Sequence, residues 1–157
     1  MRTLWKPTLV TDPTEIEQVY SFLNQREFAL DYPSYSSWLE QARDELLRSR
    51  KQACVIRDLE GRVVAAVVFQ EDKLDPRRIE MKNRRVVMDM ARRGLGQSLA
   101  YAVEVYAREH GYSAVIADTH ETNVAAIGSL RKAGFEEEAR QPLYDPKINE
   151  VIMLKRL

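Results

Sequence analysis

Predicted strands and helices alternate through the middle of this chain, and that alternation constrains its fold more than any other feature. In order, the 157-residue sequence predicts β α α β β β α β α β β. Apolar residues at helical spacing mark the helices, and β-branched runs such as RVVAAVVF (62–69) mark the strands. Because strand pairs flank this alternating centre, we expect one α/β domain over residues 1–157, with a mixed sheet and helices on both faces.

Charge and cysteine content exclude several classes of function. The 24 Lys and Arg residues balance 24 Asp and Glu residues, so there is no strong case for a nucleic-acid partner. Cys54 is the only cysteine, which fits a reducing, cytoplasmic location. His110 and His120 lie far apart without a supporting carboxylate pattern, so we expect no metal site. Met1 to Val10 lacks a long apolar core, and we expect neither a signal peptide nor a membrane span.

A basic turn with two glycines, ARRGLGQSLA (91–100), separates a predicted strand from an amphipathic helix. The first N–H groups of a helix have no partner within it, and glycine lets an anion approach them closely. The helix dipole and two arginines add to this attraction. The segment predicts a diphosphate cradle whose members are Arg92, Arg93, Gly94, Leu95, Gly96, Gln97 and Ser98.

The same residues allow other interpretations of this turn to be compared. A dinucleotide-binding fingerprint requires a third glycine where Leu99 stands, and no GxxxxGK[ST] loop occurs in the chain. A plain turn, in which Gly94 and Gly96 serve backbone geometry and the arginines are solvated, explains the decapeptide equally well. The segment by itself leaves that alternative open.

Two motifs together resemble the GNAT superfamily of acyl-CoA-dependent N-acyltransferases. The first family motif is a strand, then [QR]-x-x-G-x-[GA], then a long helix, and here RRVVM precedes ARRGLG (91–96). The second is a strand, N-x-x-A-[IS] and a helix ending in K-x-G-F, matched by ADTHETNVAAIGSLRKAGF (117–135). The resemblance covers roughly Val63 to Leu157, and the first sixty residues match only in the order of their elements.

The resemblance implies a fold and an activity. It implies a mostly antiparallel sheet that splays between its fourth and fifth strands, with residues 63–157 as the cofactor-binding core and 1–60 on the acceptor side. It also implies an N-acetyltransferase that uses acetyl-CoA as co-substrate. The acetyl group would pass directly, in a ternary complex, to a primary amine of a small molecule or protein.

The resemblance further implies cofactor contacts outside the turn. Backbone groups of Val86, Val87 and Met88 would bind the pantetheine arm, and an N–H at Val87 or Met88 would stabilise the developing oxyanion. Asn123 would cap the following helix and, as a second role, contact the cofactor.

An acceptor ammonium must lose a proton before it attacks, so the chemistry needs a base. Glu80 is the leading candidate because it precedes Ala91 by eleven residues, as the base glutamate does in the histone-type branch of the family. It also shares strand parity with Val86, so both are expected to face the cleft. An ion pair with Arg78 or Lys82 on a solvated edge explains Glu80 equally well.

Further positions bear on the acid and the base. Asp118 and His120, near the end of the next predicted strand, are rival bases. Leu130 stands where many relatives carry the tyrosine that protonates the departing thiolate. Tyr144, in the C-terminal hairpin, is a substitute acid.

Departures from the family pattern keep other functions open. Ala91, in place of Gln or Arg, and Leu130 motivate a catalytically weak CoA-binding module with a regulatory or scaffolding role. A structural partner that forms a homodimer through the C-terminal strands is a third option, compatible with catalysis. The sequence does not identify the acceptor amine. Four aromatic residues of the front half either line an acceptor pocket or pack against the sheet: Phe28, Tyr32, Tyr35 and Trp38.

Overall fold

The structure is a computed structural model that describes residues 5–29 and 32–157. The sequence predicts a first strand from Leu4 to Val10; Leu4 lies outside the described residues, and of residues 5–10 only Thr8–Leu9 forms a strand. The strands are β1 (Thr8–Leu9), β2 (Gln52–Arg57), β3 (Val63–Glu71), β4 (Arg78–Val86), β5 (Ala114–His120), β6 (Glu136–Gln141) and β7 (Glu150–Arg156). The helices are α1 (Pro13–Leu23), α2 (Arg26–Ala29), α3 (Tyr35–Leu47), α4 (Leu95–Glu109) and α5 (Val124–Lys132), with a 3-10 turn at Met88–Met90.

Within the described residues the strands form one mixed sheet in the order β1-β2-β3-β4-β5-β7-β6. Strands β4 and β5 run parallel, and all other neighbours are antiparallel. This arrangement confirms the predicted fold class. The short helix α2 is an addition to the predicted order.

Helices cover both faces of the sheet and create two apolar cores. On one face, α1 and α3 pack Val19 and Leu39 against the sheet around Val68. On the other, α4 and α5 pack residues such as Leu99 against Phe69. Strand β3 is therefore buried on both sides, as its β-branched run favours, and each buried Val or Leu side chain contributes about 1.5–3 kcal/mol.

Local sequence accounts for several element boundaries. The sequence DPTEIE (12–17) predicts a helix start capped by Asp12 or Thr14. Asp12 accepts a hydrogen bond from the Glu15 N–H at 2.9 Å and starts α1, a cap that contributes about 1 kcal/mol. The sequence also predicts a strand from about Glu136 to Tyr144. Strand β6 ends earlier, at Gln141, because Pro142 lacks the N–H that a strand ladder uses.

The sheet splays between β4 and β5, as predicted. The two strands pair only from Arg78–Met81 to Ala114–Ala117, although β4 continues to Val86 and β5 to His120. Beyond the last pair, the facing edges of the described strands separate. Backbone polar groups along such a gap are available to an extended ligand that adds like a strand.

A bulge in β4 changes the face that its side chains occupy. Phe69 pairs with Met81 and the preceding Val68 pairs with Asn83, so Lys82 has no partner on β3. An extra residue of this kind shifts the alternation of side chains on the bulged strand. Positions before and after Lys82 therefore follow different parities.

The bulge overturns the prediction that Glu80 and Val86 face the same cleft. Glu80 lies on the α3 face, where it lines a groove with Trp38 of α3. Val86 packs against the core under α4. The equal count of residues that suggested shared parity fails because Lys82 is the extra residue between them.

Candidate active site

The turn between β4 and α4 presents a row of unpaired backbone amides. Gly94, at the N-cap of α4, has φ +82°, and Arg92 also has a positive φ of +63°. The first helical hydrogen bond runs from the Ser98 N–H to the Gly94 carbonyl at 3.0 Å. Within the described chain, no hydrogen bond is formed by the N–H groups of residues 92–97, and these groups are called the amide cradle below.

Side chains around the amide cradle add positive charge without blocking it. Arg92 and Arg93 are exposed, and neither forms an ion pair with a carboxylate of the described residues. Leu95 is buried in the core, so only its backbone serves the turn. A Cβ built on Gly94 would meet nothing within 4 Å, which shows open space over the helix start.

Arg84 is a cation of this region that sequence reasoning did not assign. Its Nη1 donates to the Gly96 carbonyl at 2.8 Å, and its guanidinium lies 3.7 Å from an ideal Cβ on Gly96. Burial lowers the pKa of Arg84 to about 10, which leaves it charged at neutral pH. Strand alternation in RRVVM, which sends adjacent Arg84 and Arg85 to opposite faces, is the sequence signal that would have found it.

At the end of β4, the structure excludes one of the two predicted oxyanion donors. The N–H of Val87 donates to the Val64 carbonyl at 2.9 Å, so it is not free to stabilise an oxyanion. In an antiparallel pair, successive residues direct their N–H and C=O groups alternately toward and away from the partner strand. Since the N–H of Val87 is directed toward β3, the N–H and C=O groups of Val86 are directed away from it, toward the gap beside β5. Of the two predicted oxyanion donors, only the Met88 N–H is left.

The second motif forms the neighbouring helix start. The Asn123 side chain accepts a hydrogen bond from the Ala126 N–H at 3.2 Å, which confirms its predicted capping role. Its predicted contact with the cofactor stays a prediction. Leu130 is only 3% exposed and packs in the core beside α4, so it is a structural residue at this position.

On the opposite face of the sheet, strands β5 and β7 bring titratable groups together. His120 pairs with Glu150, and Asp118 lies two residues before His120 on the same face. The Nε2 atom of His120 lies 3.2 Å from Oε2 of Glu150. Tyr144 approaches from the loop after β6. Asp118, His120, Tyr144 and Glu150 are called the carboxyl cluster below.

Tyr32, from a distant segment, borders the carboxyl cluster and contacts two of its rings. The ring of Tyr32 lies 4.7 Å from the ring of His120 and 6.1 Å from that of Tyr144, both edge-to-face. Tyr144 is 57% exposed as a residue, while its hydroxyl end faces Asp118. Burial of that end and the Asp118 carboxylate raise the pKa of Tyr144, so the phenol keeps its proton at neutral pH.

Glu150 is the residue of the cluster that sequence reasoning missed. It is 1% exposed, and its Oε1 atom has no hydrogen-bond partner among the described residues. Burial and the neighbouring Asp118 raise the pKa of Glu150 to about 8. In the sequence it is only the first residue of a short apolar strand, and nothing local distinguishes it.

Glu80 lies nearby on the same face. Its carboxylate is 3.5 Å from Lys82 Nζ. This is the ion pair with Lys82 that the alternative interpretation of Glu80 predicts. Burial raises the pKa of Glu80, Lys82 opposes the shift, and Asp118 adds to it. The structure therefore brings the three predicted residues Glu80, Asp118 and Tyr144 into one neighbourhood on the α3 face.

The aromatic residues of the front half divide between core and site. Phe28 and Tyr35 are buried in the core under α1 and α3, and the Tyr35 hydroxyl donates to the Leu23 carbonyl at 2.8 Å. Trp38 borders the groove that contains Glu80. Phe28 and Tyr35 are thus core residues, whereas Tyr32 and Trp38 pack partly buried against the same core and also border the candidate site.

The described residues contain neither a candidate metal-binding group nor a helix that could span a membrane. No group of three or more His, Cys, Asp or Glu side chains among them is arranged to hold a metal ion. No helix in the described ranges has the length and apolar content needed to cross a membrane.

Comparison with known proteins adds an independent finding. The family model described as Acetyltransferase (GNAT) family matches residues 16–135. Among curated proteins, no sequence matches the chain.

Solved structures show the same fold at low sequence identity. A putative acetyltransferase of the GNAT family from Desulfovibrio desulfuricans superposes with a TM-score of 0.81 at 15% identity, covering 97% of this chain and 98% of that one. The ribosomal-protein-S18-alanine N-acetyltransferase of Escherichia coli gives 0.72 at 19% identity, with 96% and 93% covered. A putative streptothricin acetyltransferase of Bacillus anthracis, in complex with acetyl coenzyme A, gives 0.62 at 15% identity, with 69% and 63% covered.

Proposed function

Because the chain belongs to the GNAT acetyltransferase family, we propose that it transfers the acetyl group of acetyl-CoA to a primary amine of a small molecule or protein. The single observation that carries this proposal is the placement of two unlike sites on either side of one gap. The amide cradle lies at the α4 side of the gap, and the carboxyl cluster lies on the α3 face. A cofactor that entered between β4 and β5 would join them.

The amide cradle suits the diphosphate of coenzyme A. Unpaired N–H groups at residues 92–97, the α4 dipole and three guanidiniums all attract phosphate oxygens. The plain-turn alternative does not account for Arg84, a cation without a carboxylate partner among the described residues, placed against Gly96. When bound, acetyl-CoA would supply an activated acetyl thioester.

The gap between β4 and β5 suits the pantetheine arm. Polar backbone groups of Val86 face the gap, and the Met88 N–H is the remaining candidate to stabilise charge on the thioester oxygen. Asn123, at the start of α5, is proposed as a further contact. Holding the thioester beside the acceptor would provide most of the rate enhancement, because a positioned pair gains several kcal/mol, about 7–11 in well-oriented cases.

The acceptor side is acidic and suits a cation. Glu80, Asp118 and Glu150 cluster on the α3 face, with Tyr32 and Tyr144 beside them. Carboxylates and aromatic faces both attract an ammonium group. Residues 1–60, which supply Tyr32 and α3, are proposed to shape this acceptor side, and residues 63–157 to hold the cofactor.

Tyr144 is proposed as the acid for the departing thiolate. Its pKa is raised, so it stays protonated, and its hydroxyl end lies at the carboxyl cluster. The buried Leu130 cannot serve this role.

Thiol release in the presence of acetyl-CoA and a panel of amines tests the proposal. We expect release with at least one amine, and loss of acetyl-CoA binding in Gly96→Glu, since the new carboxylate would lie in the amide cradle. Tyr101→Glu places the same charge on an exposed position further along α4 and should bind normally. Binding without thiol release from any amine would favour a CoA-binding module instead.

The cytoplasmic location and the homodimer belong to the same proposal. The buried Cys54 fits a reducing compartment. Strand β6 is an edge of the sheet with exposed Glu136, Glu137 and Glu138, and such charges oppose edge-to-edge pairing. A homodimer would therefore use the faces of the C-terminal strands, and sedimentation velocity would reveal it.

A further inference from the structure

Glu150 is placed where a carboxylate is costly. It is 1% exposed, and in the part of the chain that the structure describes its Oε1 has no hydrogen-bond partner. Its one ion-pair contact within the described residues is His120 Nε2 at 3.2 Å. A buried charged oxygen without a hydrogen bond destabilises the folded state, so the group needs either a proton or a function.

Other acidic groups surround Glu150 and increase the cost of its charge. Burial raises the pKa of Glu150, and Asp118, on β5, adds to the shift, which brings that pKa to about 8. Tyr144 lies in the loop before β7. Burial raises its pKa, and the charges of Asp118 and, more weakly, of Glu80 and Glu150 raise it further. Glu80, on β4, is partly neutralised by Lys82. The remaining neighbours are His120 and Tyr32, whose rings contact each other.

We propose that Asp118 and Glu150 act as one proton-accepting pair, in which Asp118 touches the acceptor ammonium and Glu150 holds the proton behind it. This inference rests on the proposed function. Asp118 is the catalytic residue of the pair, and Glu150 is a positioning residue that acts through Asp118.

The position of Asp118 suits contact with the acceptor. It follows Ala117, the last β5 residue paired with β4, so it is the first β5 side chain beside the open gap. It is partly exposed, whereas Glu150 is buried. An amine that reaches the gap therefore meets Asp118 first.

Glu80 suits this task less well. Its carboxylate already faces Lys82 at 3.5 Å, and that cation would repel an approaching ammonium. Glu80 is better placed to add to the negative field at the acceptor end.

The acceptor nitrogen loses two protons in the course of the reaction. One N–H proton of the ammonium passes to the Asp118–Glu150 pair, leaving a neutral amine and a pair with one more proton. The amine nitrogen bonds to the acetyl carbon, and the C–S bond breaks with its electron pair on sulfur. A second N–H proton leaves the new amide nitrogen and, directly or through Tyr144, ends on the thiolate. The pair then releases its proton to solvent.

A base works best when its pKa lies near the working pH. A pair that binds a proton near pH 8 can accept one from an ammonium and return it to water. An ordinary carboxylate is a weaker base and accepts that proton less readily.

The test is the pH profile of kcat for wild type, Glu150→Gln and Asp118→Asn. We expect wild-type kcat to rise with pH through an inflection near 8. Glu150→Gln should lose that inflection and lower kcat at pH 8.5 about 10- to 100-fold. This loss reaches only the low end of the roughly 100- to 10,000-fold range for acid–base catalysis, because Glu150 acts through Asp118. The KM for acetyl-CoA should not change.

Two further variants make the test specific. The double variant Asp118→Asn/Glu150→Gln should be no slower than the slower single variant, because groups that act as a unit lose their effect together. Glu104→Gln removes a buried carboxyl on the other face of the sheet, one bound to Lys155 and Arg108. Once folded, it should keep the wild-type profile.

Carboxyl carbon NMR of labelled protein gives a second readout that does not depend on turnover. We expect the Glu150 signal to titrate near pH 8 in wild type and lower in Asp118→Asn. An unchanged pH profile in Glu150→Gln, or a Glu150 signal that titrates in the ordinary range, would overturn the pair while leaving the proposed function intact. Absence of thiol release from wild type would instead overturn the proposed function, and the NMR titration would still decide on the pair.

Discussion

The two halves of the candidate site are assembled in opposite ways. The amide cradle comes from one continuous stretch, residues 92–97, and uses backbone N–H groups that any helix start leaves unpaired. The carboxyl cluster comes from β5, the loop after β6, and β7, and uses side chains that are remote in sequence. The N–H groups of the cradle are present whatever side chains residues 92–97 carry, so side chains affect this half mainly through added or removed charge. The carboxyl cluster consists of side chains and depends on the packing of several elements.

The electrostatics of the two halves differ in the same way. The cradle gathers positive groups that stay charged over the ordinary pH range, among them Arg84 with a pKa of about 10. In the cluster, burial and the neighbouring Asp118 raise the pKa of Glu150 to about 8 and raise that of Tyr144 above its ordinary value. We therefore expect cofactor binding to vary little with pH and acetyl transfer to vary strongly.

The largest effect is expected from Arg84→Met, which removes the cation beneath the amide cradle. A charged hydrogen bond contributes about 1.5–3 kcal/mol, so acetyl-CoA affinity should weaken by roughly 10- to 100-fold. The KM for the acceptor should stay unchanged, because the carboxyl cluster lies on the other face. Isothermal titration calorimetry measures the first value and steady-state kinetics the second.

Arg77→Met is the matched control. Arg77 forms an exposed pair with Asp75 at 3.0 Å, away from the cradle. Equal losses of affinity in the Arg84 and Arg77 variants would show that the cradle does not depend on its buried cation.

The next effect concerns the pH dependence of stability and belongs to the cluster alone. The folded pKa of Glu150 is about 8, raised from its ordinary value of 4.5. The stability linked to its proton is fully present below pH 4.5 and is lost as pH rises through 8. Glu150→Gln should therefore gain stability relative to wild type between pH 4.5 and 9, by an amount on the order of 2 kcal/mol.

Urea unfolding at several pH values measures this difference. Arg84→Met provides the comparison, since it should follow the wild-type pH dependence. A difference between Glu150→Gln and wild type that does not change with pH would contradict the assignment.

A smaller effect is expected from Tyr144→Phe. Removal of the hydroxyl leaves the ring, and so its edge-to-face contact with Tyr32. We expect kcat to fall about tenfold, less than the roughly 100-fold or more typical of acid–base catalysis, because water can also protonate a thiolate. Stopped-flow thiol release should show the loss in the chemical step, with acetyl-CoA affinity unchanged. A variant as fast as wild type would assign thiolate protonation to water.

The smallest effect is expected from Asn123→Ala, which removes the α5 cap. Loss of the bond to the Ala126 N–H should cost about 1 kcal/mol of unfolding free energy. Asn123→Ser keeps a capping oxygen and should restore most of the stability. If Ser also restores acetyl-CoA affinity, the cap alone explains any change in binding. Affinity lost in both variants would support a direct contact between Asn123 and the cofactor.

Much of the fold followed from local sequence. The run 62–69 predicted a buried strand, and β3 is buried on both faces. Asp12 predicted the start of α1, and the prediction is confirmed by its bond to the Glu15 N–H. The Gly94 turn and the Asn123 cap were also assigned to helix starts. At the three helix starts the deciding interaction spans four residues or fewer, and short-range patterns report such contacts well.

The rest depended on contacts that no short segment contains. The bulge at Lys82 reversed the parity inferred for Glu80 and Val86, because register against β3 is a property of two strands. The Val87 N–H was expected to be free, but the Val64 carbonyl accepts its hydrogen bond.

The sequence alone determined the amide cradle, since unpaired N–H groups and αL glycine are consequences of where a helix begins. Only the tertiary structure decided that Glu150, thirty-two residues after Asp118, lies beside it. The pairing of β5 with β7 brings them together. The physical reason is that the energy of a buried charge depends on which other charges share its surroundings, and strand pairing across the sheet sets those surroundings.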